Sequence, residues 1–181
     1  MTPLPSLPGH GVYEYPYTPE SFPWFYDKEQ WIKYLDMLVA NRMNSLYLWN
    51  GHPFASLVKL EDYPFALEVD EETFKMSEEM FSFLTEEADK RGIFVIQMFY
   101  NIILSKPFAE HYGLKTQDRN RPITPLIADY TRKSIAAFIE KYPNVGLLVC
   151  LGEAMCTVED DVVWFTKTII PGVKDGLQAH R

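Results

Sequence analysis

The sequence predicts an α/β fold in which parallel strands and helices alternate along the chain. Two observations carry this prediction. Apolar residues recur with strand and helix periods in alternation, and the joins from helix to strand are much shorter than the joins from strand to helix. Four βα units account for residues 11–181, and a proline-rich leader occupies residues 1–10. A length of 181 residues suits one compact unit.

Two strands and one helix are predicted in residues 11–49. A short strand is predicted at Gly11–Tyr15, before a proline. A helix is predicted over Asp27–Arg42, with Asp27 as its N-cap and one apolar stripe formed by Trp31, Leu35, Leu38 and Val39. The apolar run Ser45–Trp49 follows almost at once and predicts a buried strand.

A second helix is predicted over Ser77–Arg91, and Gly92 at its C′ position ends it. The next strand, Ile93–Phe99, is too continuously apolar for a sheet with one wet face, so it predicts a parallel strand covered on both faces. A third helix is predicted over Thr124–Tyr142, with Thr124 as its cap and Pro125 at its first position.

The last unit is a strand at Val145–Leu151 followed by a helix from Glu159 onward. In that helix the apolar residues fall on one face: Val162, Phe165, Ile169 and Val173. The order βαβαβαβα implies parallel strands joined by right-handed crossovers.

Composition excludes several classes of protein. Seventeen basic and 25 acidic residues give a net charge of −8, and no basic cluster is present, so we expect no nucleic-acid partner. The longest uncharged apolar run, Ile93–Leu104, is shorter than the roughly 20 residues of a membrane span. Residues 1–9 lack the pattern of a signal peptide, and Cys150 and Cys156 are expected to be free thiols. The sequence does not determine the cellular compartment, and it is compatible with a periplasmic or secreted parent protein.

The long joins, residues 50–76 and 100–123, fall at the carboxyl edge of the predicted sheet. Ordinary βα joins need about 2 to 6 residues, so these two are interpreted as working loops. No glycine-rich nucleotide motif follows any strand, and no cofactor is expected. Aromatic, amide and carboxyl residues at the strand ends favour a (β/α)8 barrel of the TIM type, of which four units make half. The partner would then be the remaining half of the barrel in the same polypeptide.

Glu153 is the candidate catalytic residue. It lies two residues beyond the last predicted strand, after Gly152, and a carboxyl group walled by apolar residues can have a pKa high enough to act as a general acid. A helix-capping or solvent-facing Glu is the alternative at this position.

Polar and aromatic residues at the other strand ends predict a sugar subsite: Trp49, Asn50, His52, Tyr100 and Asn101. Aromatic rings stack on the C–H faces of sugars, while amides and imidazoles pair with hydroxyl groups. A core position for Trp49 and a simple turn at Asn50–Gly51 remain alternatives. A metal site built from His52, His111 and Glu153 is less favoured, because no close pair of metal ligands is present.

Three segments carry a family resemblance: Trp49–Pro53, Phe99–Ile102 with Ser105–Ala109, and Leu151–Glu153. They resemble the catalytic barrel of the α-glucuronidases (glycoside hydrolase family 67). The hexosaminidase barrels (family 20) are similar, but they place an Asp where this chain has Gly152.

The resemblance implies the first half of a (β/α)8 barrel that hydrolyses O-glycosidic bonds in a complex polysaccharide or oligosaccharide, with Glu153 as general acid. Glycosidases use two carboxyl groups, and we expect the second outside this chain, which alone should be inactive. The alternatives are a non-catalytic carbohydrate-binding half-barrel and a metal-dependent barrel enzyme.

Overall fold

The protein is built on a sheet of three parallel strands. The computed structural model describes residues 16–100, 103–118, 120–151 and 157–180. The sheet has the order β1-β2-β3, and its strands are β1 (Ser45–Trp49), β2 (Phe94–Tyr100) and β3 (Val145–Cys150). These strands lie where the sequence predicted them. The predicted first strand at residues 11–15 lies outside the described residues.

Helices flank and join the strands. In chain order they are α1 (Lys28–Ala40), α2 (Phe54–Leu57), α3 (Glu71–Lys90), α4 (Lys106–Tyr112), α5 (Pro125–Lys141), α6 (Val158–Trp164) and α7 (Ile170–Gln178). A π-helical stretch, Phe165–Ile169, joins α6 to α7, and 3-10 turns lie at Pro23–Tyr26 and Pro64–Ala66. Among the described residues no helix is long and apolar enough to cross a membrane.

Side-chain caps set where the long helices begin. Asp27 and Thr124 each accept a hydrogen bond from the backbone N–H three residues on, as the sequence predicted for α1 and α5. The predicted start of α3 at Ser77 is wrong by six residues, because Asp70 caps the helix instead. The end of α3 agrees with the prediction, since Gly92 follows it with a φ of 67°.

The core lies between one face of the sheet and the helices. Leu48, Gln97 and Leu147 stand side by side in register on this covered face. Helices α1, α3 and α5 contribute to one continuous core cluster, with Leu35, Leu84 and Phe138 among its fully buried members. Burial of this face is the main source of stability.

The opposite face of the sheet is partly exposed. Its large apolar side chains include Tyr47, Trp49, Phe94 and Leu148, which are between 44% and 69% exposed. The prediction that β2 is covered on both faces is therefore wrong for its first half. We call this side the uncovered face.

The predicted half of a TIM barrel is wrong. The described residues form a small α/β domain whose three strands make an open sheet, with β1 and β3 at its edges. Alternating strands and helices with short returns are common to barrels and open sheets, so that pattern does not encode closure. The expected partner, the other half of a barrel, loses its basis with this correction.

The long joins also contain more structure than predicted. All four residues of α2 are buried, and Phe108 and Ala109 of α4 are buried as well. The prediction of working loops did not include these two helices, which supply part of the core.

Candidate functional site

The ends of β1 and β2 meet at the carboxyl edge of the sheet, as the sequence predicted. Trp49 is the last residue of β1 and Tyr100 the last of β2. Their ring centroids are 6.1 Å apart with an interplanar angle of 63°. The backbone N–H of Tyr100 donates to the carbonyl of Gly51 at 2.8 Å, which fastens the segment after β1 to the end of β2.

These two rings differ in accessibility. Trp49 is 56% exposed on the uncovered face, whereas Tyr100 is buried and packs with Met98 and Ile103 in a small cluster of its own. Tyr47 lies below Trp49, with ring centroids 5.9 Å apart and nearly perpendicular planes. The edge therefore presents an indole ring braced by two tyrosines, which suits stacking against the C–H face of a sugar.

Asn50 and His52 point to the opposite, covered side and are buried. The Oδ1 atom of Asn50 accepts a hydrogen bond from the backbone N–H of His52 at 3.0 Å. The Nε2 atom of His52 lies 2.8 Å from the hydroxyl of Tyr130 on α5. Burial lowers the pKa of His52 to about 3, so the ring is neutral at neutral pH and acts as a hydrogen-bonding partner there.

Tyr130 connects this edge to the helix layer. Its ring stacks on Phe108 of α4 with centroids 4.0 Å apart, and burial raises its pKa to about 12. Ser105 caps α4 by accepting from the N–H of Phe108. The segments that follow β1 and β2 are thus held together at the site by packing and hydrogen bonds.

Two buried polar residues beneath the edge were not predicted from the sequence. Gln97 lies on β2 between apolar neighbours. Burial raises the pKa of Tyr17, and hydrogen bonding with the side chains of Asn50 and Gln97 offsets part of that rise. A polar amide inside the apolar run of β2 was a signal that could have been used. Tyr17 carries no comparable signal, because only the tertiary structure brings it to the sheet.

The remaining predicted site residues are only partly covered by the structure. Glu153 and Asn101 lie outside the described residues. Cys150, at the end of β3, is half-buried and is a free thiol. His111 stacks on Phe65 at the surface of α4, with centroids 4.2 Å apart. No group of three metal-ligating side chains occurs within the described ranges.

Comparison with known proteins identifies a similar solved structure. No family model matches the chain, and no curated protein matches it. A solved structure described as a GH138 enzyme targeting pectin rhamnogalacturonan II is 87% identical to it, with a TM-score of 0.93. The chain resembles one part of a glycoside hydrolase. The match covers 96% of this chain and 20% of the GH138 chain, so the chain spans about a fifth of that relative.

This match refines the family resemblance. It supports the glycoside hydrolase part of the prediction, and it points to GH138 rather than to families 67 or 20. It also fits a carbohydrate as the partner.

Proposed function

We propose that this chain forms part of a glycoside hydrolase that cleaves O-glycosidic bonds in a pectin polysaccharide of the rhamnogalacturonan II type. The observation that carries the proposal is the 87% identity to a segment of the GH138 enzyme over nearly the whole chain. At that identity most aligned residues are the same in the two proteins. Because the match covers a fifth of the GH138 chain, we assign this chain a share of the site and not the whole of it.

Within that share, Glu153 is the proposed general acid. It follows β3, the third strand whose end contributes to the edge. Its role is to donate a proton to the departing glycosidic oxygen, and the second carboxyl group that the reaction requires would come from outside this chain.

The other residues form the proposed sugar subsite. Trp49 offers the exposed aromatic surface against which a sugar ring stacks, and the buried ring of Tyr100, 6.1 Å away, supports it at the edge. Asn101 is the proposed amide partner of sugar hydroxyl groups, and Asn50, which is buried on the covered side, is proposed to support the subsite from within. His52 supports Asn50 from the buried side through its backbone N–H.

A chimaeric enzyme tests this proposal. Residues 1–181 replace the matching segment of the GH138 enzyme, and release of sugar from rhamnogalacturonan II is measured. We expect the chimaera to be active, the 181-residue chain alone to be inactive, and Glu153→Gln in the chimaera to lower kcat by about 100-fold or more. Glu159→Gln is the matched control, because Glu159 is an exposed carboxylate in the first turn of α6.

The outcomes separate the candidate functions. An inactive chimaera contradicts the proposed function. An active chimaera whose rate is unchanged by Glu153→Gln contradicts the acid role and leaves the carbohydrate-binding role, for which the exposed ring of Trp49 is the specific support.

A further inference from the structure

The outer edge of β1 has no partner strand among the described residues. There β1 pairs with β2 alone, and the N–H of Phe94 donates to the carbonyl of Asn44 at 2.9 Å. Successive residues of a strand direct their backbone groups to opposite sides. Leu48, which is in phase with Asn44, therefore directs its N–H and carbonyl toward β2, whereas Tyr47 directs them toward the outer edge. Such an edge is a template for another strand.

Tyr17, the second of the described residues, lies near the carboxyl end of β1. Its backbone N–H donates to the Oγ atom of Ser56 at 3.3 Å, and Ser56 belongs to α2, the helix that follows β1. Its carbonyl accepts from the Oγ atom of Ser77 on α3 at 3.4 Å. The chain therefore reaches residue 17 at the place where a strand parallel to β1 and beside it would end.

Helix α1 supplies the crossover that such a strand needs. It packs with α3 and contributes to the same core cluster as α3 and α5. The units β1-α3-β2 and β2-α5-β3 each add a parallel strand on the same side of the strand before it. Crossovers of this kind are right-handed in about 98% of cases. Because α1 lies on the same face as the other two helices, a strand that precedes it falls on the outer edge of β1.

The sequence before Tyr17 suits that place. Residues 11–15 read Gly-Val-Tyr-Glu-Tyr, and valine and tyrosine both favour strands. A proline at position 16 follows them, which is a common signal for the end of a strand. Five residues also match the length of β1.

Alternation decides which way the side chains of this strand face. Tyr17 is 4% exposed and belongs to the core cluster on the covered side. Side chains two residues apart lie on the same face of a strand, so Tyr13 and Tyr15 fall on the covered side and Glu14 on the uncovered face. The opposite assignment would bury the carboxylate of Glu14 in the core, at a high cost in free energy.

We propose that residues 11–15 form a fourth parallel strand that pairs with the outer edge of β1. Its two tyrosines face the helices, and Glu14 faces the same side as Tyr47. The strand ends beside Trp49 at the carboxyl edge of the sheet. This inference goes beyond the proposed function and does not depend on it.

Amide hydrogen exchange of the 181-residue chain, measured by NMR, tests the pairing. The N–H groups of Tyr47 and Leu48 should both exchange slowly, because each then has a partner strand. A residue of the fourth strand that faces the covered side directs its N–H toward β1, as Leu48 directs its own toward β2. Tyr13→Pro removes such an N–H, so exchange at Tyr47 should become about 100-fold faster while Leu48 stays unchanged.

Val12→Pro is the matched control. The N–H of Val12 would face away from β1, on the side of an edge strand where proline is tolerated. Exchange at Tyr47 should therefore stay slow in this variant. If Tyr13→Pro unfolds the protein, Leu48 also exchanges fast, and the unsubstituted chain then decides. Its spectra should show nuclear Overhauser contacts between the amide of Tyr47 and residues 11–15.

Three results would overturn the proposal. The first is fast exchange at Tyr47 in the unsubstituted chain, without contacts to residues 11–15. The second is an equal effect of Val12→Pro and Tyr13→Pro on Tyr47, which contradicts the assigned facing of the strand. The third is protection of Tyr47 that rises with protein concentration and survives Tyr13→Pro, because a second copy of the chain would then cover the edge.

Discussion

Near the carboxyl edge, the uncovered face of the sheet exposes aromatic side chains and the covered face buries polar ones. On the uncovered face, Tyr47 and Trp49 expose about half of their surface. On the covered face, Asn50 and Gln97 are buried although their side chains are polar. In most half-buried sheets the apolar residues face inward and the polar ones outward.

This reversal separates the face that stabilises the fold from the face on which the sugar subsite is proposed. Residues of the covered face and the helices form the large core cluster, whereas the exposed aromatic residues gain little by their position in the described structure. Contiguous exposed apolar groups are typical of a surface that binds a partner or a ligand. The comparison of the two faces therefore supports placing the sugar at the edge near Trp49.

The strongest test of the comparison uses two leucines. Leu48 is 6% exposed on the covered face, and Leu148 is 44% exposed on the uncovered face. We expect Leu48→Ala to lower the free energy of unfolding by about 3 kcal/mol, because it leaves a cavity in the core. Leu148→Ala should cost less than about 1 kcal/mol. Urea denaturation at several protein concentrations measures both, and equal losses would mean that the uncovered face is buried in solution.

Two glycines test the same difference between the covered side and the uncovered face, with a smaller expected change in stability. A Cβ atom on Gly176 of α7 would lie 2.5 Å from the carbonyl oxygen of Ala136 on α5 and 2.7 Å from the Cβ atom of Ile139. Gly176→Ala should therefore force the two helices apart and cost about 2 kcal/mol, more than the helix propensity it gains.

Gly146 of β3 is the matched control on the uncovered face. A Cβ atom there would meet nothing closer than the carbonyl oxygen of Val95 at 3.8 Å. Gly146→Ala should change stability by less than about 0.5 kcal/mol. Calorimetric melting of both variants measures the difference, and a tolerated Gly176→Ala would show that α5 and α7 pack more loosely than the structure indicates.

The sequence predicted the elements better than their arrangement. Local signals located β1, β2 and β3, and the caps Asp27 and Thr124, because strand runs and capping side chains act over a few residues. The prediction of half a barrel was wrong, because closure of a sheet depends on how its strands curve and how many follow. No local sequence pattern encodes this. The short helices α2 and α4 were missed because four to seven residues carry little periodicity.

The geometry of the candidate site was predictable to the same degree, while the roles of its residues stay predictions. Placing polar and aromatic residues at strand ends brought Trp49 and Tyr100 together correctly, since parallel strands end at one edge. It could not tell that Asn50 and His52 turn to the buried side, because that depends on the helices packed there. Tyr17 lies 33 positions before Asn50 in the sequence, so its contribution is purely tertiary.

The burial of His52 beneath the edge should make the stability of the protein depend on pH. In the unfolded chain His52 titrates near pH 6.5, but burial lowers its pKa in the folded protein to about 3. The unfolded state therefore takes up a proton as the pH falls below about 6.5 while the folded state does not. The free energy of unfolding should fall by about 2 kcal/mol from this group between pH 7 and pH 5, and the loss should continue until about pH 3.

Two variants separate burial from hydrogen bonding as the cause. His52→Gln should remove this component of the pH dependence, measured as the difference between the urea stability of wild type and variant at each pH. Tyr130→Phe removes the hydroxyl 2.8 Å from Nε2 but leaves the ring of His52 buried. Because burial alone lowers the pKa of His52, Tyr130→Phe should reduce stability by about 1 kcal/mol at every pH and keep the slope between pH 7 and pH 5. A slope that disappears in Tyr130→Phe would show that the hydrogen bond, and not the covered face, keeps His52 neutral.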